Sequence, residues 1–226
     1  MDAAPSPGSA DGAGVSGVES AYDAVADAYS AAFGNELDSK PLDRALLTAF
    51  VEMIGAGTVC DVGCGPGHVT RFLAGRHADV MGLDLSSAMI GIARKKAPDL
   101  VFKTGSMLAL PVPDAGWAGI VSLYSIIHLT REDRASAWRE FARAVRPGGW
   151  LLAAFHVDSP EFRPGAVNHL TSWFGKSVEL DGYFLDPDAV AAEITSAGYT
   201  VKARLQRQPV VGVEYPSQRC YFLAQH

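Results

Sequence analysis

Val59-Cys60-Asp61-Val62-Gly63-Cys64-Gly65-Pro66-Gly67 is the stretch that decides the fold. Thr58–Val62 is a short apolar run that reads as a buried strand, and the apolar spacing over Val69–Leu73 starts a helix. Between them, glycines at 63, 65 and 67 let the backbone approach a ligand closely and aim helix N–H groups at it. Val80–Leu83 is a second strand, closed by Asp84, 17 residues beyond Gly67. A carboxylate in that place can accept both hydroxyls of a ribose. A glycine turn alone is a common tight corner. The loop, the acid and the order strand–loop–helix–strand together point to a nucleoside site.

The alternation continues in both directions. Upstream, residues 19–33 carry Tyr22, Val25, Ala26, Tyr29 and Phe33 on one helical stripe. Residues 41–54 repeat the pattern with Leu42, Ala45, Leu46, Ala49 and Met53, and Gly55 and Gly57 stop it. Downstream, Ser86 caps a helix with Met89, Ile90 and Ala93. Val101–Phe102 is a third strand, and Ile120–Tyr124 is a fourth, continuously apolar as a buried parallel strand should be. A helix over 132–145 ends at Pro147–Gly149, before a fifth strand over 150–155. Residues 158–183 have weak periodicity and several aromatics. A helix over 188–197 precedes two closing strands, 199–205 and 220–223, joined by a short turn and therefore antiparallel. The fold class is α/β: a doubly wound, Rossmann-like, mostly parallel seven-stranded sheet with an antiparallel final pair.

Composition narrows the function. The 226 residues are 48% apolar and 19% charged, ordinary for a globular protein. No apolar run approaches the roughly 20 residues needed to cross a bilayer, so no membrane partner is expected. Three scattered cysteines (60, 64 and 220) make no disulfide framework and fit a reducing compartment, and no metal-ligand cluster accompanies them. Residues 1–40 hold seven acids and one base, which is the whole net charge of −6. The remainder is neutral and has no basic run, so nucleic acid is not an expected partner. Residues 1–18 read as a disordered tail, rich in Gly, Ala, Ser and Pro. The first 20 residues have no Lys or Arg and no apolar core, unlike a secretory or transit peptide, so a cytoplasmic location is expected.

The charge beside the loop selects the nucleoside. The pyrophosphate fingerprint G-x-G-x-x-G fails here, because position 68 is His. Asp61, two residues before Gly63, would oppose a pyrophosphate and suit a cationic group. A ligand with an ammonium or a sulfonium fits, which points to S-adenosylmethionine and away from a nicotinamide dinucleotide.

At this point the chain resembles the class I S-adenosylmethionine-dependent methyltransferases of the small-molecule type. The resemblance runs from about Tyr22 to Phe155 through an ordered series of motifs. They are Tyr22-Asp23 with Ala26-Asp27-Ala28-Tyr29, the glycine loop from Asp61 to Gly67, and Gly82-Leu83-Asp84-Leu85-Ser86. Then come Gly105-Ser106-Met107 with Leu110-Pro111, Ser122-Leu123-Tyr124-Ser125-Ile126-Ile127-His128-Leu129, and Arg146-Pro147-Gly148-Gly149. Each is common alone; the series is specific.

The resemblance implies roles. Asp61 with Gly63, Gly65 and Gly67 would hold the amino-acid end of the cofactor, and Asp84 its ribose. Leu85 and Met89 would pack on the adenine, and Ser106 and Met107 would meet its edge. Leu123 and Tyr124 would line the methionine side, with Tyr22 and Tyr29 on a helix lying over the ligand. Two positions depart from the family pattern: 106 is Ser where Asp is frequent, and 118 is Ala where Asp is frequent. The implied organisation is a helical lid at 19–56 and a cofactor-binding domain at 57–226, with a substrate-recognition insert at about 158–184. S-adenosylhomocysteine would be the product.

Methyl transfer needs in-line alignment, exclusion of water and, for a poor nucleophile, a base. His128 follows the fourth strand at the ligand edge and is the candidate general base; capping that strand or packing under the lid is its other role. His156 after the fifth strand and His169 in the irregular segment are further candidates. With Trp173 and Tyr183 they would form an aromatic substrate wall, unless these residues simply fill the outer face of the sheet. Glu214 and Arg219 read as a salt bridge. The fourth strand ends without the Asn/Asp-Pro-Pro-aromatic sequence of many enzymes that methylate nucleic-acid or protein amino groups. The expected acceptor is therefore a small, partly aromatic or apolar metabolite, methylated on O, N or C by a monomer or homodimer. A nicotinamide-dependent oxidoreductase and a non-catalytic S-adenosylmethionine-binding module are the alternatives.

Overall fold

Val59–Val62 (β1) is buried along its whole length, and the sheet is built outward from it. The structure, a computed structural model, describes residues 15–77 and 79–226. Two helices come first, Val15–Phe33 (α1) and Pro41–Ile54 (α2). After β1 follow His68–Ala74 (α3), Val80–Asp84 (β2), Ser87–Lys96 (α4), Val101–Thr104 (β3) and Trp117–Leu123 (β4). Arg131–Ala144 (α5) leads into Val145–Asp158 (β5). Val167–Trp173 (β6) and Lys176–Tyr183 (β7) form a separate hairpin. Pro187–Ser196 (α6), Thr200–Arg207 (β8) and Gln218–Gln225 (β9) complete the chain.

The sheet order is β3-β2-β1-β4-β5-β9-β8. The first five strands are parallel, and β9 runs antiparallel between β5 and β8. Strand order reverses between β1 and β4, and the crevice above the carboxyl ends of those two strands is where such sheets bind ligands. Side chains alternate across the sheet. Val59, Val121 and Leu152 meet Leu47, Phe50 and Ile54 of α2. Their neighbours Cys60, Ile120 and Leu151 meet Trp138 and Phe141 of α5 with Val190 and Ile194 of α6. Burial on both faces explains the continuous apolar runs.

Several elements differ from the sequence expectation. The first helix is already running at Val15, inside the stretch read as tail; residues 1–14 lie outside the described residues. The α2 stripe is rotated: Leu47, Phe50, Val51 and Ile54 are buried, while Leu42 and Met53 face solvent. Asp43 shares the buried face because Arg207 receives its carboxylate. β5 begins at Val145, straight through Pro147–Gly149, because the chain end pairs with it: Gly148 N–H donates to the His226 carbonyl at 2.8 Å.

The irregular aromatic segment is the β6–β7 hairpin. Its two-residue loop places Phe174 (φ 49) and Gly175 (φ 73) in the left-handed region that such tight hairpin turns require. The hairpin packs on α1 through Val178 and Leu180 against Ala21 and Val25. On its other side α1 is fastened to the N-terminus of α4, where Asp23 accepts from Ser86 Oγ (2.5 Å) and Ala88 N–H (3.0 Å). Ser86 itself caps α4 as expected, accepting from Met89 N–H. Among the described residues no helix is long and apolar enough to cross a membrane.

Candidate active site

Two cavities meet above the β1/β4 switch. The first is lined by Gly63, Gly65, Asp84, Leu85, Ser106, Met107 and Leu123. The second is walled by Phe33, His156, Trp173, Tyr183, Phe184 and Tyr215. Tyr22, Tyr29, Tyr124 and His128 line both.

The loop is tied to the neighbouring strand by Gly63 and Cys64 N–H groups, which donate to the Leu83 carbonyl at 2.7 and 3.1 Å. Gly63 has φ 78, and a Cβ there would lie 2.3 Å from the Ser125 Cβ, so only glycine serves. Asp84 holds the loop to the start of α4: Gly65 N–H donates to Oδ2 (2.7 Å) and Ser86 N–H to Oδ1 (2.8 Å). Burial raises its carboxyl pKa; these two N–H groups oppose the rise and Asp23 adds to it.

Tyr124 follows β4 directly with φ 57, outside the usual range for a bulky residue. Its ring stacks on His156 at 5.1 Å. Its hydroxyl lies 2.6 Å from that of Tyr221, which donates to Asp43 (2.8 Å) and accepts from Arg207 (2.8 Å). Tyr124 must therefore be the donor to Tyr221. Arg207 reaches both oxygens of Glu214, at 2.6 and 2.9 Å, and Lys40 and Arg219 approach the same carboxylate at 3.4 and 3.2 Å. Burial, then the positive charges of Arg219 and Lys40, push the His156 pKa down to about 3 against the opposing Glu214, so its ring is neutral at pH 7. His128 is lowered mainly by burial, with the Asp181 carbonyl opposing.

Comparison with known proteins adds the family. Residues 59–149 match the model of a methyltransferase domain. A trans-aconitate 2-methyltransferase of Methylobacterium nodulans is 33% identical over 146 residues, covering 62% of this chain. The chain spans about half the length of that relative, 54%. A 2-phytyl-1,4-naphtoquinone methyltransferase of Thermosynechococcus vestitus is 28% identical over 190 residues, 75% of this chain and 82% of the relative. Among solved structures, the DhpI–SAH complex superposes with a TM-score of 0.70 at 23% identity, over 93% of this chain and 95% of that one. Residues 59–149 are a methyltransferase domain, and the chain is similar around them to S-adenosylmethionine-dependent methyltransferases. That similarity sets aside the nicotinamide-dependent oxidoreductase.

Around this methyltransferase domain, eleven of the sequence-derived positions converge on the two cavities' shared space or on the first cavity: Tyr22, Tyr29, Gly63, Gly65, Asp84, Leu85, Ser106, Met107, Leu123, Tyr124 and His128. His156, Trp173 and Tyr183 line the second. Four positions do not face either space. Asp61 is turned beneath the loop, where its buried carboxylate accepts from Thr70 Oγ1 at 2.6 Å and locks α3 to β1. Gly67 lies against the Phe102 ring, where a Cβ would come within 2.9 Å, so it serves helix–strand packing. Met89 is fully buried on the inner side of α4. His169 points outward with its side chain 66% exposed, bonded to Asp181 Oδ1 at 2.5 Å.

The sequence reading also missed contributors. Glu19 lines the first cavity, and Glu36, Lys40 and Tyr215 line the second. The Glu214–Arg219 pair exists, but as one edge of the larger Lys40–Glu214–Arg207–Asp43 network.

The buried Asp61–Thr70 contact offers a test. Burial raises its pKa to about 6 despite the Thr70 hydrogen bond. A folded-state pKa above the unfolded one means that ionisation costs stability, and the cost is complete above pH 6. Asp61→Asn is expected to stabilise the fold by ~1–3 kcal/mol at pH 8 and by little at pH 4. Denaturant titration at both pH values checks this. A large loss of S-adenosylhomocysteine affinity in this variant would return Asp61 to the ligand site.

Proposed function

We propose that this methyltransferase carries a methyl group from S-adenosylmethionine to an O, N or C atom of a small, partly aromatic or apolar metabolite, with His128 as general base. The observation that carries the reading is the wall shared by the two cavities: Tyr22, Tyr29, Tyr124 and His128 border both the glycine-loop space and the aromatic space. A cofactor on one side and an acceptor on the other would meet there.

The residues present fit the cofactor. A Cβ at Gly65 would meet nothing nearer than the Tyr29 ring at 3.9 Å, so bare loop backbone opens on the first cavity. Asp84 has acceptor lone pairs beyond those taken by backbone N–H groups, and a ribose diol, a pair of hydroxyl donors, needs such an acceptor. Leu85 and Met107 supply apolar wall for adenine, and Ser106, whose Oγ accepts from Leu108 N–H at 3.1 Å, supplies the polar edge in place of a carboxylate. When bound, the cofactor supplies an electrophilic methyl carbon on a sulfonium. The chain itself aligns the acceptor, excludes water beneath α1 and the hairpin, and receives the proton. Alignment of this kind is worth about 7–11 kcal/mol.

Calorimetric titration is expected to give micromolar affinity for S-adenosylhomocysteine and no heat with NADH; the reverse preference overturns the cofactor. Incubation with methyl-labelled S-adenosylmethionine and a metabolite extract is expected to yield one labelled small molecule. Tight cofactor binding with no transfer to any metabolite would leave the protein a binding module.

A further inference from the structure

The general base does not face the acceptor space with a free lone pair, because a phenol stands in front of it. Tyr22 Oη lies 2.7 Å from His128 Nε2, and His128 Nδ1 lies 2.7 Å from the backbone carbonyl of Asp181 in the hairpin. A carbonyl only accepts, so Nδ1 carries the hydrogen. In the neutral ring Nε2 is then the basic nitrogen, and Tyr22 donates to it. The insert thus sets the tautomer of a residue in the body, and the lid helix supplies the group that covers it.

The geometry points to Tyr22 as the residue that takes the acceptor's proton, with His128 behind it as the proton store, and so to an acceptor bearing a hydroxyl. This rests on the methyl-transfer reading above. Amines and thiols reach a reactive form near neutral pH with little help, whereas a hydroxyl is a poor nucleophile until its proton has somewhere to go. A proton path built in two steps is of use to the hydroxyl.

The step balances. The C–S bond of the sulfonium breaks with its electron pair left on sulfur, and the new C–O bond forms from a lone pair of the acceptor oxygen. The acceptor's proton passes to the Tyr22 oxygen while the Tyr22 proton passes to His128 Nε2. Tyr22 ends as it began, one positive charge leaves sulfur, and one appears on the imidazole.

Burial, with Asp84 adding to it, holds the Tyr22 hydroxyl far above its ordinary pKa, so it stays protonated and relays rather than charges. The titratable neighbours are Tyr29 at 5.7 Å from the Tyr22 ring, Asp84 across the first cavity, Asp181 behind His128, and His156 across the second cavity.

Tyr22→Phe keeps the ring and its edge contacts with Trp173 and Tyr29 while removing the relay. Nitrogen-15 NMR of the wild-type protein is expected to find His128 protonated on Nδ1 and bare on Nε2; the opposite tautomer overturns the proposal. In Tyr22→Phe, methyl incorporation into the metabolite extract is expected to fall about 100-fold. The acid limb of its pH–rate profile should flatten, and the wild-type product should carry its methyl on oxygen. Undiminished turnover in a variant that still binds S-adenosylhomocysteine, or a product methylated on nitrogen, sulfur or carbon, overturns the relay alone. Failure of the wild-type protein to bind S-adenosylhomocysteine overturns the reading beneath it.

Discussion

Glu214→Gln is expected to lower the unfolding free energy at pH 7 by ~3–5 kcal/mol, the range for breaking a buried ion pair from one side. The carboxylate is fully enclosed and accepts from Arg207 twice and from Val210 N–H at 2.7 Å, with Lys40 and Arg219 beside it. Without its charge, three buried cations share only Asp43 and Glu36. Glutamine still accepts one Arg207 bond, but its NH₂ group is set against N–H donors. Burial works to raise the Glu214 pKa; the Arg207 hydrogen bonds, Val210 N–H and the cations outweigh it and hold the value at about 2. A folded pKa below the unfolded one gives stability that is whole above about pH 4.5 and fades as pH falls toward 2. The gap between wild type and variant in denaturant titrations should therefore narrow from pH 7 to pH 3. An equal gap at both would mean that packing, not charge, is lost. Because Lys40, Glu214 and Arg219 line the acceptor cavity, the variant should also bind acceptor poorly.

That network marks the limit of what the sequence discloses. Asp43 and Arg207 are 164 positions apart, and Tyr221 joins Asp43 across 178. Nothing local distinguishes Asp43 from a solvent-facing acid in a first helical turn, and the apolar spacing of α2 favoured the wrong stripe because Leu42 and Met53 fit the period equally well. Where the signal was local it carried far. The β1–loop–β2 unit depends on glycine, a buried run and one acid within 26 residues, and Asp84 bridges Gly65 and Ser86 as its position at the strand end suggests. Asp61 shows the difference between position and direction. Its place before the loop is plain in the sequence, but its rotamer answers to Thr70, nine residues on. The hairpin was hidden because its strands are half exposed and their alternation is diluted by aromatics facing the cavity; Gly175 was the one available turn signal.

Asp84→Ala is expected to weaken S-adenosylhomocysteine binding about 100-fold, with the loss seen by calorimetry. The charge-assisted hydrogen bonding lost with the carboxylate is worth ~1.5–3 kcal/mol, and the upper part of that range corresponds to about 100-fold. The same carboxylate also organises the loop, so the truncation leaves the Gly65 and Ser86 N–H groups without their present acceptor. Stability must be measured alongside affinity to separate the two roles. A lowered Tm with unchanged affinity would make Asp84 a loop fastener only; lost affinity with a modest Tm change would make it a ligand. Asp84→Asn sharpens the choice, because its amide NH₂ faces one of those N–H donors and repels where the carboxylate attracts. The pH dependence runs the same way. Burial raises the Asp84 pKa, and the ligand's hydroxyls bond best to the ionised form, so wild-type affinity should fall as the solution is acidified through that raised value. The Ala variant, with no carboxylate to protonate, should lose that part of the pH dependence.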